Sequence, residues 1–575
     1  MLTEFSKELL KKHYCRPNES ISDAFKRACD CFGSNQAHSE RLQDYLKDEW
    51  FMFSSPILSN AVLPNEKPKG MPISCFLTYV PDSIEGLCNH TTELRWLSVK
   101  GGGVGGHWSD VRAMSDMTPG VVGFQHTVDA DMLAYRQGKT RRGSYAGYLN
   151  IDHPEIIDFI KMRIPTGDLN RKNLNLHHGV NITDSFLDAV TNDEEWCLVD
   201  PHSCEVVEKL RARELWEELI TTRFRTGEPY INYIDEANDK LHPALKRKGL
   251  QINGSNLCNE IHLPTNEDRT AVCCLSSVNL ATYDQWRDHP LFIRDLIEML
   301  DNVLQYFIDN APSVLEKAKY SAMMERSLGL GAMGFHDYLQ SKLVPWESAM
   351  AISINRGMFM NIKGKALEAT KELAHLRGEA KDAVGYGIRN THLLAIAPNA
   401  NSSIILGVSP SIEPRASNCY THKTRVGSYL VKNKYLEYEL ETYERNTDDV
   451  WKSIMEHDGS VQHLDFLSDD IKATFKTAFE LDQRWVVDHA RIRQPYICQG
   501  QSVNLFFPVG SDKTYVSNVH RRAFAQDGLG DPLKGVYYLR TEAAKKTEKV
   551  NVSITRDALA DGVKGDLNEC LACQG

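Results

Sequence analysis

The sequence predicts an α/β fold, and three observations carry that prediction. Strand-like and helical segments alternate from Asn256–Glu260 to about residue 545, as in a sheet covered by helices. Further upstream, the apolar run from Ile73 to Val80 reads as a buried strand with a helix close behind it. The composition is that of a globular chain, 42% hydrophobic and 25% charged over 575 residues.

In chain order, residues 1 to about 50 carry apolar residues at helical spacings (Phe5, Leu9, Leu10, then Ala24, Phe25, Ala28), and Ser54-Ser55-Pro56 ends this region. After the strand holding Cys75, Pro81-Asp82-Ser83 caps a helix expected to reach about Val99. The run Gly101–Gly106 reads as a tight loop for close approach. It lacks the Lys-Ser/Thr of a phosphate-binding P-loop. A second helix is expected from Asp152-His153-Pro154-Glu155 to about Arg163, with proline in its first turn. Thr166–Asn175 is polar and reads as a loop. Gly329-Leu330-Gly331-Ala332-Met333-Gly334 matches the dinucleotide fingerprint, but helix rather than strand precedes it and no acidic residue follows at the right distance. Tight packing of glycines is the better reading. From about Thr541 the chain is rich in Lys, Glu and Asp without apolar periodicity and reads as a mobile tail.

A net charge of −11 argues against a nucleic-acid surface. No apolar run is long enough to span a bilayer, and the first residues lack the apolar core of a signal peptide. Fourteen cysteines without an export signal imply a reducing compartment and free thiols. Cys15, Cys29, Cys31, Cys88, Cys197, Cys204, Cys419 and Cys498 have no partner motif and read as small hydrophobes.

The remaining thiols carry chemistry. Asn256-Leu257-Cys258-Asn259-Glu260 sets an amide, a thiol and a carboxylate at alternate positions, on one side if the segment is extended. Cys75 and Cys273 could meet as a redox pair, and Cys570-Leu571-Ala572-Cys573 stands on the tail. A half zinc site would want two more ligands than that last pair offers, and no second C-x-x-C is near.

Several segments together resemble the large subunit of ribonucleotide reductase: Ser74-Cys75, Asn256–Thr265 with Ala271–Ser276, Pro398–Ser403, Gly535-Val536-Tyr537-Tyr538 and Glu569–Cys573. The resemblance runs from about residue 54 to the C-terminus. It implies a ten-stranded α/β barrel of two five-stranded parallel halves with a central finger loop. A short N-terminal helical region (1–55) would precede the catalytic barrel (56–545), and a redox-shuttle tail (546–575) would follow.

The resemblance also implies roles. Cys258 would form a transient thiyl radical that takes the 3′ hydrogen of the ribose, Glu260 would accept the 3′-hydroxyl proton, and Asn256 would hold the sugar. Cys75 and Cys273 would supply two electrons and become a disulfide, which Cys570 and Cys573 would reduce by exchange. Cys274, next to Cys273, is expected on the other face of its strand. Tyr537 and Tyr538 would relay the radical; that pair argues for a separate radical-generating subunit and against the cobalamin-dependent class. Ser74, Pro398, Asn399, Ala400, Asn401 and Ser402 would bind substrate, with backbone N–H groups at a helix start facing its phosphates.

No metal site is expected in this chain. The implied partners are a ferritin-like metal-containing small subunit, thioredoxin or glutaredoxin, and a second copy of the chain as a homodimer. The implied ligands are a ribonucleoside diphosphate and a dNTP or ATP effector. Asp82, Arg112 and Arg171 are the expected effector residues, and the helices near 83–99 and 152–163 the expected dimer contact. With Cys75 so near the start, the N-terminal ATP-sensing domain of many relatives is expected to be missing. So compact an enzyme fits a virus or a small genome, and the expected location is the cytoplasm, the host's if viral. The rival expectations are a cobalamin-dependent reductase of triphosphates and a catalytically silent nucleotide-binding regulator.

Overall fold

The computed structural model describes residues 3–67, 70–137, 141–423 and 428–542. Three amphipathic helices, Glu4–His13, Ile21–Phe32 and Gln36–Lys47, open the chain. Each begins at a polar cap (Thr3, Ser20, Asn35) whose side chain accepts a backbone N–H of the first turn. The helical region does not stop at Ser54-Ser55-Pro56, because Pro56 falls in the first turn of a further helix, Ser55–Asn60.

The core is a nine-stranded mixed sheet with a separate parallel pair of strands. Its strands are β1 (Phe51–Phe53), β2 (Cys75–Tyr79), β3 (Gly103–His107), β4 (Ser144–Asn150), β5 (His177–Ile182), β6 (Tyr230–Tyr233), β7 (Ala271–Asn279) and β8 (Leu328–Met333). Toward the C-terminus come β9 (Leu505–Phe507), β10 (Gly535–Val536) and β11 (Leu539–Thr541). β2 to β6 pair in chain order, all parallel, and form one five-stranded half. β7 and β8 are parallel, and parallel bridges Leu330–Leu394 and Ile396–Gln501 carry the second half onward. The parallel pair β9–β11 completes it. The halves meet antiparallel at both seams, β7 on β2 and β10 on β6, so the sheet closes into the expected ten-stranded barrel.

Helices cover the outside. The 19-residue helix Phe292–Asn310 buries a continuous apolar face against the sheet. A smaller core around Trp451, Leu436 and Leu440 holds together the segment from Cys419 to Phe475.

The barrel's interior is occupied by the segment 251–265, and glycine makes room for it. An added Cβ at Gly105, on β3, would stand 1.8 Å from the Ser255 carbonyl oxygen; one at Gly254 would stand 3.2 Å from Tyr148. The Gly101–Gly106 run is therefore not only a loop. Its second half is a buried central strand, stripped of side chains because another backbone passes over it. Gly105→Ala is expected to cost about 1–3 kcal/mol through overpacking and to cut turnover about a hundredfold by displacing the loop. Thermal melting and a turnover assay check the two effects.

The helix capped by Ser83 runs Ile84–Val99, as predicted. The second helix is shorter than its sequence suggests, Ile156–Lys161, because His153 Nδ1 accepts the Glu155 N–H and holds 153–155 as a turn. Thr166–Asn175 is loop apart from one 3-10 turn at Leu169–Arg171.

Candidate active site

Cys75 on β2 and Cys273 on β7 are direct cross-strand partners at an antiparallel seam. Such partners have Cα atoms about 4.5–5.5 Å apart, inside the roughly 4.4–6.8 Å that a disulfide spans. Both stand as thiols and both are fully buried. Burial pushes the Cys273 thiol well above its ordinary value. Gln499 Nε2 donates to its sulfur at 3.5 Å. Glycine at 329 leaves the sulfur its space, since a Cβ there would lie 2.8 Å away. The glycine-rich segment is thus strand β8 up to Met333, packed tightly in the wall, with Gly334 capping the next helix, and not a dinucleotide loop. Cys274 faces outward, with its thiol 3.4 Å from the Leu300 carbonyl in the helix outside the barrel.

The loop carrying Cys258 is a tight turn rather than an extended segment. Asn256 Oδ1 accepts the N–H groups of both Glu260 (3.0 Å) and Ile261 (3.1 Å), and Asn259 takes a left-handed φ of 59°. Asparagine side chains favour such turns by capturing nearby backbone donors. The barrel wall then grips the loop. Tyr148 Oη donates to Asn256 O at 2.6 Å, and Gly500 N donates to Glu260 O at 2.8 Å. The Ser502 hydroxyl lies 2.6 Å from Cys258 O and 3.2 Å from Glu260 Oε2.

Below, His262 Nε2 donates to Asn232 Oδ1 at 2.7 Å. An amide ladder continues from Asn232 to Asn181 and on to Asn150, 2.9 Å at each step. Burial lowers the His262 ring to about 3, so it stays neutral and serves as a fixed strut. Among the described residues, Asn256 Nδ2 is buried with no acceptor, a donor left over for a ligand.

One buried cluster inside the barrel contains Cys75, Cys258, Cys273, Tyr537 and Tyr538. The two tyrosine rings lie 4.3 Å apart, and Tyr230 on β6 packs against both, at 4.8 and 5.1 Å. Tyr538 Oη is 3.1 Å from His177 Nδ1 on β5, and Arg540 stands over the Tyr538 ring at 4.5 Å. Behind its backbone, Asn504 links the Tyr538 N–H to Glu413, whose carboxyl burial pushes up to about 7.

Glu228 lies close by, buried against Arg163, His177 and His178. Burial opposes its charge, but Arg163 and His177 more than offset that and hold its carboxyl well below the usual range. With a depressed value, its contribution to stability is complete above the unfolded value of about 4.3 and is lost as pH falls through the folded one. The Tm gap between the parent and Glu228→Gln should be constant above pH of about 5.5 and narrow below about 4, as pH-dependent melting would show.

Asn399, in left-handed conformation at φ 56°, caps the short helix Ala400–Leu406. Its side chain accepts from Ser277 Oγ (2.9 Å) and donates to Ala332 O (3.0 Å), which ties the Pro398–Ser402 loop to β7 and β8. Asn401 reaches Tyr14 of the first helical region at 3.3 Å, and Ser402 is buried. Ser74 is buried beside Cys75, 3.9 Å between Oγ and Sγ.

Asp82 and Arg112 form an ion pair of 2.8 Å, whereas Arg171 pairs with Glu155 and Asp158 instead. Cys570 and Cys573 lie outside the described residues. Among the described residues, His38, Asp295 and Glu298 have metal-like spacing. Arg41 and Arg377 already neutralise the two carboxylates, so the cluster reads as an ion-pair network.

Sequence reasoning did not single out Tyr148, His177, Glu228, Tyr230, Gln499 or Ser502. They are dispersed over β4, β5, β6 and the segment before β9 and form no local motif. The polar run Gln499-Gly500-Gln501-Ser502 is the one signal that could have drawn attention.

The model of the ribonucleotide reductase barrel domain matches residues 73–385 and 379–539. The chain belongs to the ribonucleotide reductase family. It is 56% identical, over 94% of both chains, to a Frog virus 3 (isolate Goorha) protein named "Putative ribonucleoside-diphosphate reductase large subunit". It is 40% identical to the ribonucleoside-diphosphate reductase large subunit of Invertebrate iridescent virus 3, over 98% of this chain and 96% of that one. Among solved structures, the Actinobacillus ureae class Id ribonucleotide reductase alpha subunit superposes with a TM-score of 0.83 at 32% identity, covering 94% of this chain and 97% of that one. The buried cysteine and tyrosine cluster therefore sits in the barrel of a ribonucleotide reductase. No helix of the described residues is long and apolar enough to cross a membrane.

Proposed function

We propose that this chain is the catalytic large subunit of a ribonucleotide reductase that converts ribonucleoside diphosphates to deoxyribonucleoside diphosphates for DNA synthesis. The observation that carries the reading is the joint burial of Cys258 with the cross-strand pair Cys75–Cys273 inside one barrel. A thiyl radical at Cys258 takes the 3′ hydrogen of the ribose. Sulfur suits the step because its radical is reactive yet not so oxidising that it attacks the backbone.

Glu260 accepts the 3′-hydroxyl proton, a general-base task for a carboxylate within hydrogen-bond reach. The unused Nδ2 of Asn256 donates to the sugar. As the 2′-hydroxyl leaves as water, Cys75 and Cys273 give up two electrons and close a disulfide. Ser74 and the loop Pro398-Asn399-Ala400-Asn401-Ser402 hold the substrate, the loop facing its phosphates. Cys570 and Cys573 reduce the disulfide by thiol exchange and are recharged by thioredoxin or glutaredoxin.

The radical enters through Tyr538 and Tyr537 from a ferritin-like, metal-containing small subunit. Likeness to a class I alpha subunit favours this over a cobalamin-dependent enzyme. The intact thiol set and Glu260 speak against a silent regulator. A homodimer is proposed through the helix Ile84–Val99, which exposes Ile84, Trp96 and Val99. Asp82 and Arg112 would contact a dNTP or ATP effector, with Arg171 released from its acidic partners to join them. The proposed location is the cytoplasm, that of the host for a viral enzyme.

The test is reduction of CDP under dithiothreitol with an effector and the cognate small subunit. Turnover that requires the small subunit is expected. Turnover with adenosylcobalamin alone would replace this reading with the cobalamin-dependent one.

A further inference from the structure

A cavity of about 260 Å³ lies at the end of the barrel where segments of the second half enter the wall. Its lining draws on residues just before the bridged positions Ile396 and Gln501 and on Lys534, just before β10. Lys240, Leu367 and Pro495 stand exposed at its mouth, and Lys363, His392, Lys534 and Cys498 line it further in. None of these side chains takes part in the chemistry proposed above.

The inner wall is rich in donors and short of anions. Lys240 pairs with Asp531 at 3.2 Å, but among the described residues neither Lys363 nor Lys534 has a carboxylate partner. Lys534 is 1% exposed, and its ammonium donates to Cys498 O at 2.6 Å. An ammonium has three donors, and the other two have no partner among the described residues. Burial lowers this group to about 8, so it gives up a proton readily near neutral pH. His392 is just as buried. Its Nδ1 meets the Ser327 and Thr391 hydroxyls, and its Nε2 has no partner among the described residues. Buried polar groups left over in this way leave a place for a ligand.

Cys498, expected to be a small hydrophobe, is held as an anion would be. Its sulfur accepts the N–H groups of Leu393 at 3.0 Å and Leu394 at 3.2 Å, whereas Leu394 O, an acceptor for its own hydrogen, lies 3.6 Å away. Burial opposes the thiolate, but Lys363, those two N–H groups and Lys534 more than offset it and bring the thiol below its ordinary value. A partly exposed thiol in an electropositive recess is the setting in which cysteine is nucleophilic. The recess is far larger than a peroxide needs, and its unpaired lysines favour a reagent that carries negative charge.

We propose that this cavity is a site for small disulfides bearing carboxylates, with Cys498 as the nucleophile and Lys363 as the group that receives a carboxylate. The Cys498 thiolate attacks one sulfur of the ligand. The ligand's S–S bond breaks as the new S–S bond to Cys498 forms, and the other half leaves as a thiolate that takes a proton from the Lys534 ammonium. Cys498 is oxidised to a mixed disulfide, the released half is reduced to a thiol, and the lysine regains its proton from solvent. Exchange with a small thiol reverses the step.

The experiment uses the full-length chain, reduced and then freed of reductant, at neutral pH. Glutathione disulfide is added, and adducts are located over time by peptide mass spectrometry. Cys88 and Cys204, both exposed, serve as internal references. Cys498 should be modified at least about tenfold faster than either. Its ratio of rates with glutathione disulfide and with the uncharged 2-hydroxyethyl disulfide should exceed theirs by about tenfold. Lys363→Gln should bring that ratio down to the reference value without changing the melting temperature.

Modification of Cys498 no faster than that of Cys88 and Cys204 would overturn the proposal. So would a rate ratio no higher than theirs. Both are read on the parent chain, whatever Lys363→Gln does to folding. An unchanged ratio in a folded Lys363→Gln would remove Lys363 from the site. No small subunit or nucleotide is needed, so these outcomes are independent of the reductase reading.

Discussion

Replacing Cys258 with serine should abolish CDP reduction, to below about a thousandth of the parent rate, while leaving the fold intact. Serine is nearly isosteric, and the contacts that hold the loop are made by neighbours. The side chain of Asn256 captures Glu260 N and Ile261 N, Tyr148 holds Asn256 O, and Ser502 holds the carbonyl, not the thiol, of Cys258. Only the sulfur is lost, and an alkoxyl radical is too oxidising for a protein to form and store. A rapid-quench assay with the small subunit reads the chemistry, and a melting curve confirms that the loop is still seated. A Cys258→Ser protein that retained a tenth of the rate would require another radical site.

The second large effect belongs to Tyr537. It packs 4.3 Å from Tyr538 and 4.8 Å from Tyr230 in the same buried cluster as Cys258. Tyr537→Phe keeps the ring and removes the one oxygen able to carry an electron and a proton together. The expected loss is at least about a thousandfold, equivalent to raising the barrier by about 4 kcal/mol. The radical of the small subunit should persist in the variant during incubation with substrate, because it has nowhere to go. Its electron paramagnetic resonance signal checks this directly. Disappearance of the signal at the parent rate, with product formed, would mean that the relay bypasses Tyr537.

These expectations depend on features that were unequally legible in the sequence. The choice of Cys273 over Cys274 came from the resemblance of Ala271-Val272 and Leu275-Ser276 to the family pattern, and the structure places one inside the barrel and the other against the Leu300 carbonyl. The helix from Ser83 was legible because its cap and apolar spacing agree. The turn at Cys258 was not read, although both asparagines that make it were in view. Alternation at 256, 258 and 260 suggested an extended segment, and side-chain capture of backbone donors by Asn256 overrode it.

The glycine run was read as a loop because glycine is poor in strands in general. Only the backbone of Ser255 passing across Gly105 explains why it is a strand here. The surroundings of Tyr538 were out of reach altogether. His177, Glu228 and Arg163 are dispersed in the chain, and parallel pairing of β4, β5 and β6 is what brings that region of the wall together.

The most direct test of the account is a single turnover without external reductant, on the complex with the small subunit, CDP and effector, using a Cys570→Ser, Cys573→Ser chain. Product and remaining thiols would be counted together, with peptide mapping of the disulfides. The account predicts one dCDP for each Cys75–Cys273 disulfide formed, and no second turnover. Deoxynucleotide formed while Cys75 and Cys273 both remain thiols would contradict it.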